Sequence, residues 1–501
     1  MKHVKKVVMT VITIIFISCQ PQDKKEIVYQ LYTPDWESLS AHNQEPQWFQ
    51  DAKFGIYFHW GVYSVPAYGS EWYPRDMHFP GKTNDHHTQH YGSPGEFGYH
   101  DFVPMFKAEY FNADEWASLF KQAGARFAGP VAEHHDGFSM WDSDVTPWNV
   151  MDKGPKKDIL GELASAIRDR DMKLVTTFHH ARNLQRYAGH PDEKEFANSH
   201  YPLFEGMPPT TDDPELNMLY GNVEEDQWVE EVWLGKLKEV IDKYHPDIIW
   251  FDAWLDLIPE TKQQEFCAYY LNKALENNQE VVIIRKQEDL PLSVSLNDLE
   301  KSRMNRIGEQ SWMTDETISK GSWCYTEGLQ IKETRDVLHV LIDIVSKNGV
   351  LMLNISPKAD GTIPENQKEV LRDIGKWLDH YGEAIYDTRP WYTYGEGPTK
   401  EPEGHFKYHQ EFLKIVYSPE DIRYTTKGNI IYAIILGWPD GKDEVSFTAF
   451  KGQDLSINNI SLLGSDQKIN WIINETGLQV SLVEEKVDDM AIVYKIEVSE
   501  K

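Results

Sequence analysis

Positive charge is scarce in this chain: 50 Lys and Arg face 80 Asp and Glu, a net charge of −30 over 501 residues. A nucleic-acid partner is thereby excluded, because binding a phosphate backbone needs a basic surface. A sulfated polysaccharide gains no long-range attraction either, and only a local basic pocket would hold its sulfate. Cysteine is nearly absent, with 3 residues. Apart from Cys19 these are Cys267 and Cys324, and two thiols are not a disulfide framework. No Cys-x-x-Cys or Cys/His spacing suggests zinc. No glycine-rich phosphate loop follows the first strand-like run, which weakens a nucleotide-binding open sheet. Beyond the N-terminal leader there is no low-complexity tract and no internal repeat.

The leader has the one long apolar run. Lys2, Lys5 and Lys6 precede Val7 to Ile17, which is too short for a permanent bilayer span. Ser18-Cys19 closes it, and the polar tract Gln20 to Glu26 follows. The arrangement resembles a bacterial lipobox, so residues 1–18 are expected to be a signal peptide and Cys19 the lipidated residue. Ordinary secretion with cleavage nearby is the alternative. Both place the mature protein outside the cytoplasm; the lipobox reading puts it in the periplasm or at the outer membrane, touching membrane only through a lipid anchor.

Aromatics, in contrast, are plentiful: 17 Trp and 25 Tyr, within a 41% hydrophobic composition that suits a globular enzyme. After an extension over residues 19–44, helix-like and strand-like segments alternate from residue 45 to about 390. Asn112 predicts an N-cap with Glu115 three residues on, and Trp116, Leu119, Phe120 and Ala123 follow at helical spacing. Further helices are expected over 228–244, 337–345 and 370–381. Apolar strands are expected at 54–58, 126–133, 173–178, 247–251, 281–284 and 350–355. Repeated β-then-α units mean a parallel sheet. Polar and aromatic clusters follow strand after strand, which favours a (β/α)8-like TIM barrel over residues 45–390. Over 391–501 short apolar runs separated by Gly, Asp, Asn and Pro predict an antiparallel β-sandwich. Its strands are expected at 412–417, 430–436, 445–450, 469–473, 478–483 and 491–498.

The candidate site residues stand at those strand ends. Phe54–Phe58 discharges into His59, Trp60, Glu71 and Trp72, a mixture suited to covering a sugar ring and bonding its hydroxyls. His134 and His135 follow the second strand. Adjacent side chains on extended backbone point opposite ways, so joint metal chelation is poor and hydroxyl binding fits better; structural histidines are the competing account. His179, His180, Arg182 and Asn183 repeat the theme after the third strand. Asp252 closes Ile248–Phe251, where a carboxylate is costly to bury and has either a chemical task or a capping role. Arg285 ends the next run. Two carboxyl groups across one bond are what glycoside hydrolysis requires, one an ionised nucleophile and one a proton donor. Asp252 suits the first role; Glu300, Glu309 and Glu316 all qualify for the second.

Together these segments resemble glycoside hydrolase family 29, the retaining exo-α-L-fucosidases. The resemblance covers about residues 48–391. It rests on Trp48-Phe-Gln-Asp-Ala-Lys-Phe-Gly-Ile-Tyr-Phe-His-Trp-Gly, Phe111-Asn-Ala-Asp-Glu-Trp, Gly124-Ala-Arg, His134-His-Asp-Gly-Phe and Trp250-Phe-Asp. Ser322-Trp-Cys-Tyr and Asn354-Ile-Ser-Pro-Lys-Ala-Asp-Gly-Thr-Ile-Pro extend it. The resemblance implies Asp252 as nucleophile and Glu300, in Asp298-Leu-Glu300-Lys, as acid/base. It implies fucose binding by His59, Trp60, Glu71, Trp72, His134, His135, Trp250 and Arg285, a fucosylated oligosaccharide or polysaccharide as partner, and neither metal nor cofactor. Trp312-Met313 replaces the Trp-Glu of many members, and Thr177-Phe178-His179-His180 replaces the commoner Tyr-Tyr-Ser. The competing readings are a non-catalytic glycan-binding lipoprotein and a barrel hydrolase for L-galactose or a sulfated fucose.

Overall fold

The computed structural model describes residues 31–184, 201, 214–252, 254–286, 289–402, 409–412 and 414–500. The leader expected over 1–18, Cys19 and residues 19–30 of the extension lie outside the described residues. Eight strands build the first sheet: β1 (Phe54–Phe58), β2 (Phe127–Glu133), β3 (Lys173–Phe178), β4 (Ile248–Phe251), β5 (Val282–Arg285), β6 (Leu296–Asn297), β7 (Trp312–Thr317) and β8 (Gly349–Ile355). They pair in parallel in the order β6-β5-β4-β3-β2-β1-β8-β7. The two ends of that order meet through a parallel bridge between Asp298 and Met313, and the Leu299 N–H donates to the Met313 carbonyl at 2.9 Å. The expected barrel is therefore present.

Alternation along the strands sorts side chains into two cores. Tyr57, Phe127, Val175, Ile248, Trp250, Val282, Ile284, Leu296, Met313 and Met352 fill the lumen. Their neighbours Phe58, Ile249, Phe251, Ile283 and Leu353 face outward, into the helical layer. That layer includes α1 (Ala113–Gln122), α2 (Ile159–Arg168), α3 (Leu234–Tyr244), α4 (Glu260–Glu276), α5 (Thr334–Ser346) and α6 (Glu365–Tyr381). The Asn112 side chain caps α1 by accepting from the Asp114 and Glu115 N–H groups at 3.1 and 3.2 Å. A π-helical turn, Trp228–Trp233, leads into α3, which stops at left-handed His245 (φ 48°, ψ 57°) before Pro246. Strands β6 and β7 escape the periodicity reading because one has two residues and the other, Trp-Met-Thr-Asp-Glu-Thr, is polar at four of its six positions. Cys267 and Cys324 are both free and buried. Among the described residues no helix is long and apolar enough to cross a membrane.

Two antiparallel sheets follow, built from β9 (Arg389–Glu396), β10 (Ile422–Lys427), β11 (Ile430–Ile435), β12 (Glu444–Phe447), β13 (Leu455–Leu462), β14 (Trp471–Asn474), β15 (Gly477–Ser481) and β16 (Ile492–Glu500). Their orders are β13-β16-β11-β10-β9 and β12-β15-β14, enclosing a core that includes Tyr424, Ala433, Phe447, Leu478 and Tyr494. The strand expected at 412–417 is not one. Its anchors Phe412 and Tyr417 are buried against Arg303 instead of entering a ladder. Strands β9, β10 and β13 are additional to the expected set.

Where the barrel meets these sheets, a buried ionic cluster joins them. Asp343 of α5 accepts from Lys347 Nζ at 2.7 Å and from Arg423 Nε of β10 at 2.5 Å, with Arg303 Nε 3.6 Å away. Glu401 also pairs with Lys347. Burial pushes the Asp343 carboxyl up, but Lys347, Arg423 and Arg303 outweigh it and hold the group well below the usual carboxylate range. Its stabilisation is complete above the ordinary carboxylate pKa of about 4 and is lost as pH falls below that. Asp343→Ala leaves three buried cations with Glu401 as their nearest remaining anion and is expected to cost about 3–5 kcal/mol in urea unfolding at neutral pH. A loss under about 1 kcal/mol would show that the cluster does not hold the junction together.

Candidate active site

A cavity of about 170 Å³ opens at the C-terminal ends of the barrel strands. Each strand from β1 to β7 sends residues to it: His59 after β1, with Glu71 and Trp72 in the loop beyond, His134 and His135 after β2, and His179 and Arg182 after β3. Asp252 and Trp254 follow β4, Lys286 follows β5, Glu300 lies beyond β6, Asp315 is on β7 and Trp323 lies past it. The parity of the strands explains most of this selection. Tyr57 faces the lumen, so His59 continues on the inner face and Trp60 on the outer. Ile248 and Trp250 lead to Asp252. Val282 and Ile284 lead to Lys286, Leu296 to Asp298 and Glu300, and Met313 to Asp315.

Three expected sugar ligands do not line the cavity, two because they point away from it and Trp250 because it lies too deep in the lumen. Trp60 is fully buried behind it, packed on Phe106, Phe111 and Trp116, with its indole N–H given to the Lys358 carbonyl at 2.7 Å. Trp250 is fully buried in the lumen one residue pair below Asp252. The Arg285 guanidinium turns aside to Asn297 Oδ1 at 2.9 Å and to the Leu290 carbonyl. Glu309 is exposed, and Glu316 faces the outer side, where Lys332 Nζ approaches to 2.8 Å. Lys286 and Trp254 are lining residues that the motif reading misses. Counting by twos from Ile284 finds Lys286.

Around Asp252 the polar groups form a shared electrostatic set. Its Oδ2 lies 3.1 Å from His135 Nε2 and 3.2 Å from His179 Nδ1, and its Oδ1 contacts Lys286 Nζ. The same Nζ reaches Glu300 Oε2 at 2.8 Å. Burial pushes the Asp252 carboxyl up, but Lys286, His179 and His135 together outweigh it and hold it well below the ordinary range. The group is therefore ionised at neutral pH. Burial lowers the Lys286 ammonium, yet Asp252, Glu300 and Asp315 raise it well above the usual lysine value, so the bridge stays charged. Beneath it lie two further buried carboxyl groups, Asp298 and Asp315. Burial, then the charge of Asp315, pushes the Asp298 carboxyl well above its ordinary range, and burial raises Asp315 as well. The Tyr57 hydroxyl donates to Asp315 Oδ2 at 3.1 Å.

The remaining walls are imidazole and indole. Asn354 Nδ2 donates to the Trp323 carbonyl at 2.8 Å, which fixes Asn354 Oδ1 as the acceptor for His59 Nδ1–H, also at 2.8 Å. Burial, then His179, keeps the His59 ring well below the usual histidine pKa and hence neutral. Glu71 accepts from the Trp323 N–H and the Ser322 hydroxyl, both at 3.3 Å, and burial raises its carboxyl. The Arg182 guanidinium lies between the indoles of Trp72 and Trp254, 4.4 and 4.3 Å from their centroids. This is a small polar pocket with apolar ring faces, two adjoining carboxylates and a cation between them, suited to acid–base cleavage of a glycosidic bond.

Known proteins agree with that chemistry. Residues 19–383 match the family description "Alpha-L-fucosidase" and residues 417–497 match "Alpha-L-fucosidase C-terminal domain". Tissue alpha-L-fucosidase of Rattus norvegicus is 32% identical over 452 residues, covering 88% of this chain and 86% of that protein. The Homo sapiens tissue enzyme is 30% identical over 469 residues, covering 90% and 88%. The crystal structure of Thermotoga maritima alpha-fucosidase in complex with fucose superposes with a TM-score of 0.73 at 28% identity, covering 93% of this chain and 100% of that one. Both parts of the sequence and the barrel mouth thus lead to one conclusion: this chain belongs to the alpha-L-fucosidase family of glycoside hydrolases.

Proposed function

We propose that the enzyme removes terminal α-L-fucosyl residues from oligosaccharides or glycans with retention of configuration, by double displacement. The observation that carries the reading is the single Lys286 nitrogen touching both Asp252 and Glu300. Two carboxylates bonded to one nitrogen lie no farther apart than roughly two hydrogen-bond lengths, about 5.5 Å. That upper bound accommodates the ~5–5.5 Å of retaining glycosidases and falls short of the ~6.5–9.5 Å that an inverting enzyme needs for its water. Asp252 attacks the anomeric carbon while Glu300 protonates the departing oxygen. Water, deprotonated by Glu300, then releases the sugar from Asp252. His59, His134, His135 and Glu71 bond the hydroxyls, and Trp72, Trp254 and Trp323 supply ring faces for the C6 methyl side.

Proton NMR of an aryl α-L-fucoside digest tests this directly. α-L-Fucose appears first and mutarotates to the β anomer afterwards. Initial β-L-fucose would show a single inverting displacement and remove Asp252 from its covalent role.

A further inference from the structure

Three imidazoles that sequence spacing keeps far apart converge in the cavity. His59, His134 and His179, from the ends of β1, β2 and β3, place their ligand-capable nitrogens within 4.8 Å of one another. All three are buried, and the cavity around them contains the carboxylates Glu71, Asp252 and Glu300 against the cations Lys286 and Arg182. The His59 ring is oriented as metal-binding imidazoles are: its Nδ1–H is committed to Asn354 Oδ1, which leaves the Nε2 lone pair as the ligand atom. A carboxylate stands at the edge of the cluster, since Asp252 Oδ2 is 3.2 Å from His179 Nδ1, and His135, His179 and Asp252 form a second close triplet. The adjacent pair His134-His135 chelates poorly by itself; the fold supplies the missing ligands from neighbouring strands.

We propose that this pocket also binds one divalent cation of the Zn²⁺ type through His59, His134 and His179, in competition with the sugar. The ion is an inhibitory ligand, not a participant in glycoside cleavage. Imidazole donors select Zn²⁺, Cu²⁺, Ni²⁺ or Co²⁺ over Mg²⁺ and Ca²⁺. Tetrahedral Zn²⁺ with bonds of about 2.1 Å requires ligand nitrogens about 3.4 Å apart, closer than the 4.8 Å within which these lie, so the rings must move inward on binding. Three protein ligands leave a fourth position for water, in the space where a sugar hydroxyl would otherwise approach the same nitrogens.

The test uses untagged enzyme, cleared of metal with EDTA and dialysed, then titrated with Co²⁺. One equivalent binds and gives the intense visible bands of a four- or five-coordinate Co²⁺ site. The bands vanish in His179→Phe, with His179→Gln as a second variant in case the first fails to fold. Zn²⁺ displaces the Co²⁺, and L-fucose and Co²⁺ exclude each other. In turnover, Zn²⁺ raises KM for an aryl α-L-fucoside without lowering kcat, and EDTA reverses this. Absence of Co²⁺ binding, binding that survives both His179 substitutions, or independent binding of metal and fucose would overturn the proposal. So would loss of the bands in His90→Ala, because His86 and His90 form a stacked pair on the helix Lys82–Tyr91, with centroids 4.1 Å apart. The spectrum does not depend on catalysis, so a protein that binds Co²⁺ but cleaves no fucoside would contradict the fucosidase mechanism and leave the metal site standing.

Discussion

Asp252→Ala is expected to lower kcat on an aryl α-L-fucoside by about 10⁴-fold or more, the scale on which loss of a covalent nucleophile is felt. The reason is electrostatic as well as chemical. Lys286, His179 and His135 all approach this one carboxylate and hold it anionic, and no other lining group sits at that focus. Folding should persist, because Asp252 lies at the solvent end of β4, above Trp250, and contributes no barrel packing. Circular dichroism and a thermal melt check the fold, and azide added to Asp252→Gly should form a fucosyl azide of inverted configuration. Activity within tenfold of wild type would place the nucleophile elsewhere.

Glu300→Ala should divide substrates by their leaving group. Natural glycans, whose alkoxide needs a proton, lose about 10²–10⁴-fold in kcat. An aryl fucoside with a nitro-activated phenol loses far less in its first step, and azide restores much of the second. Glu316→Ala is the decisive control. Its side chain is committed to Lys332 on the outer face of β7, so its activity should change little and without leaving-group dependence. Rescue of Glu316→Ala by azide, with none for Glu300→Ala, would reassign the acid.

How much of this was visible in the sequence depends on which side chain is considered. Barrel strands such as Phe54–Phe58 and Ile248–Phe251 are buried on both faces and read as apolar runs. Strand β7 does not, because Met313 and Asp315 share its inner face while Glu316 turns out. Polarity at a catalytic strand end looks like a loop. Motifs found His59, Glu71, His134, His135, Asp252 and Glu300, all of which the fold gathers. Trp60, Trp250 and Arg285 do not line the cavity: Trp60 and Arg285 stand one position off and point elsewhere, while Trp250 faces inward but lies one layer too deep. In the C-terminal part, β13 (Leu-Ser-Ile-Asn-Asn-Ile-Ser-Leu) has too little apolar contrast to announce itself, yet pairs along its length with β16.

Lys286 also gives the enzyme a simple clock. A lone ammonium divided between two acidic groups weighs each against the other. In the double displacement proposed above, esterification of Asp252 by the sugar would remove its charge and leave the whole pull of the ammonium on Glu300. The second half-reaction of that mechanism calls for an anionic base, and the undivided ammonium beside it would favour that form with no moving part.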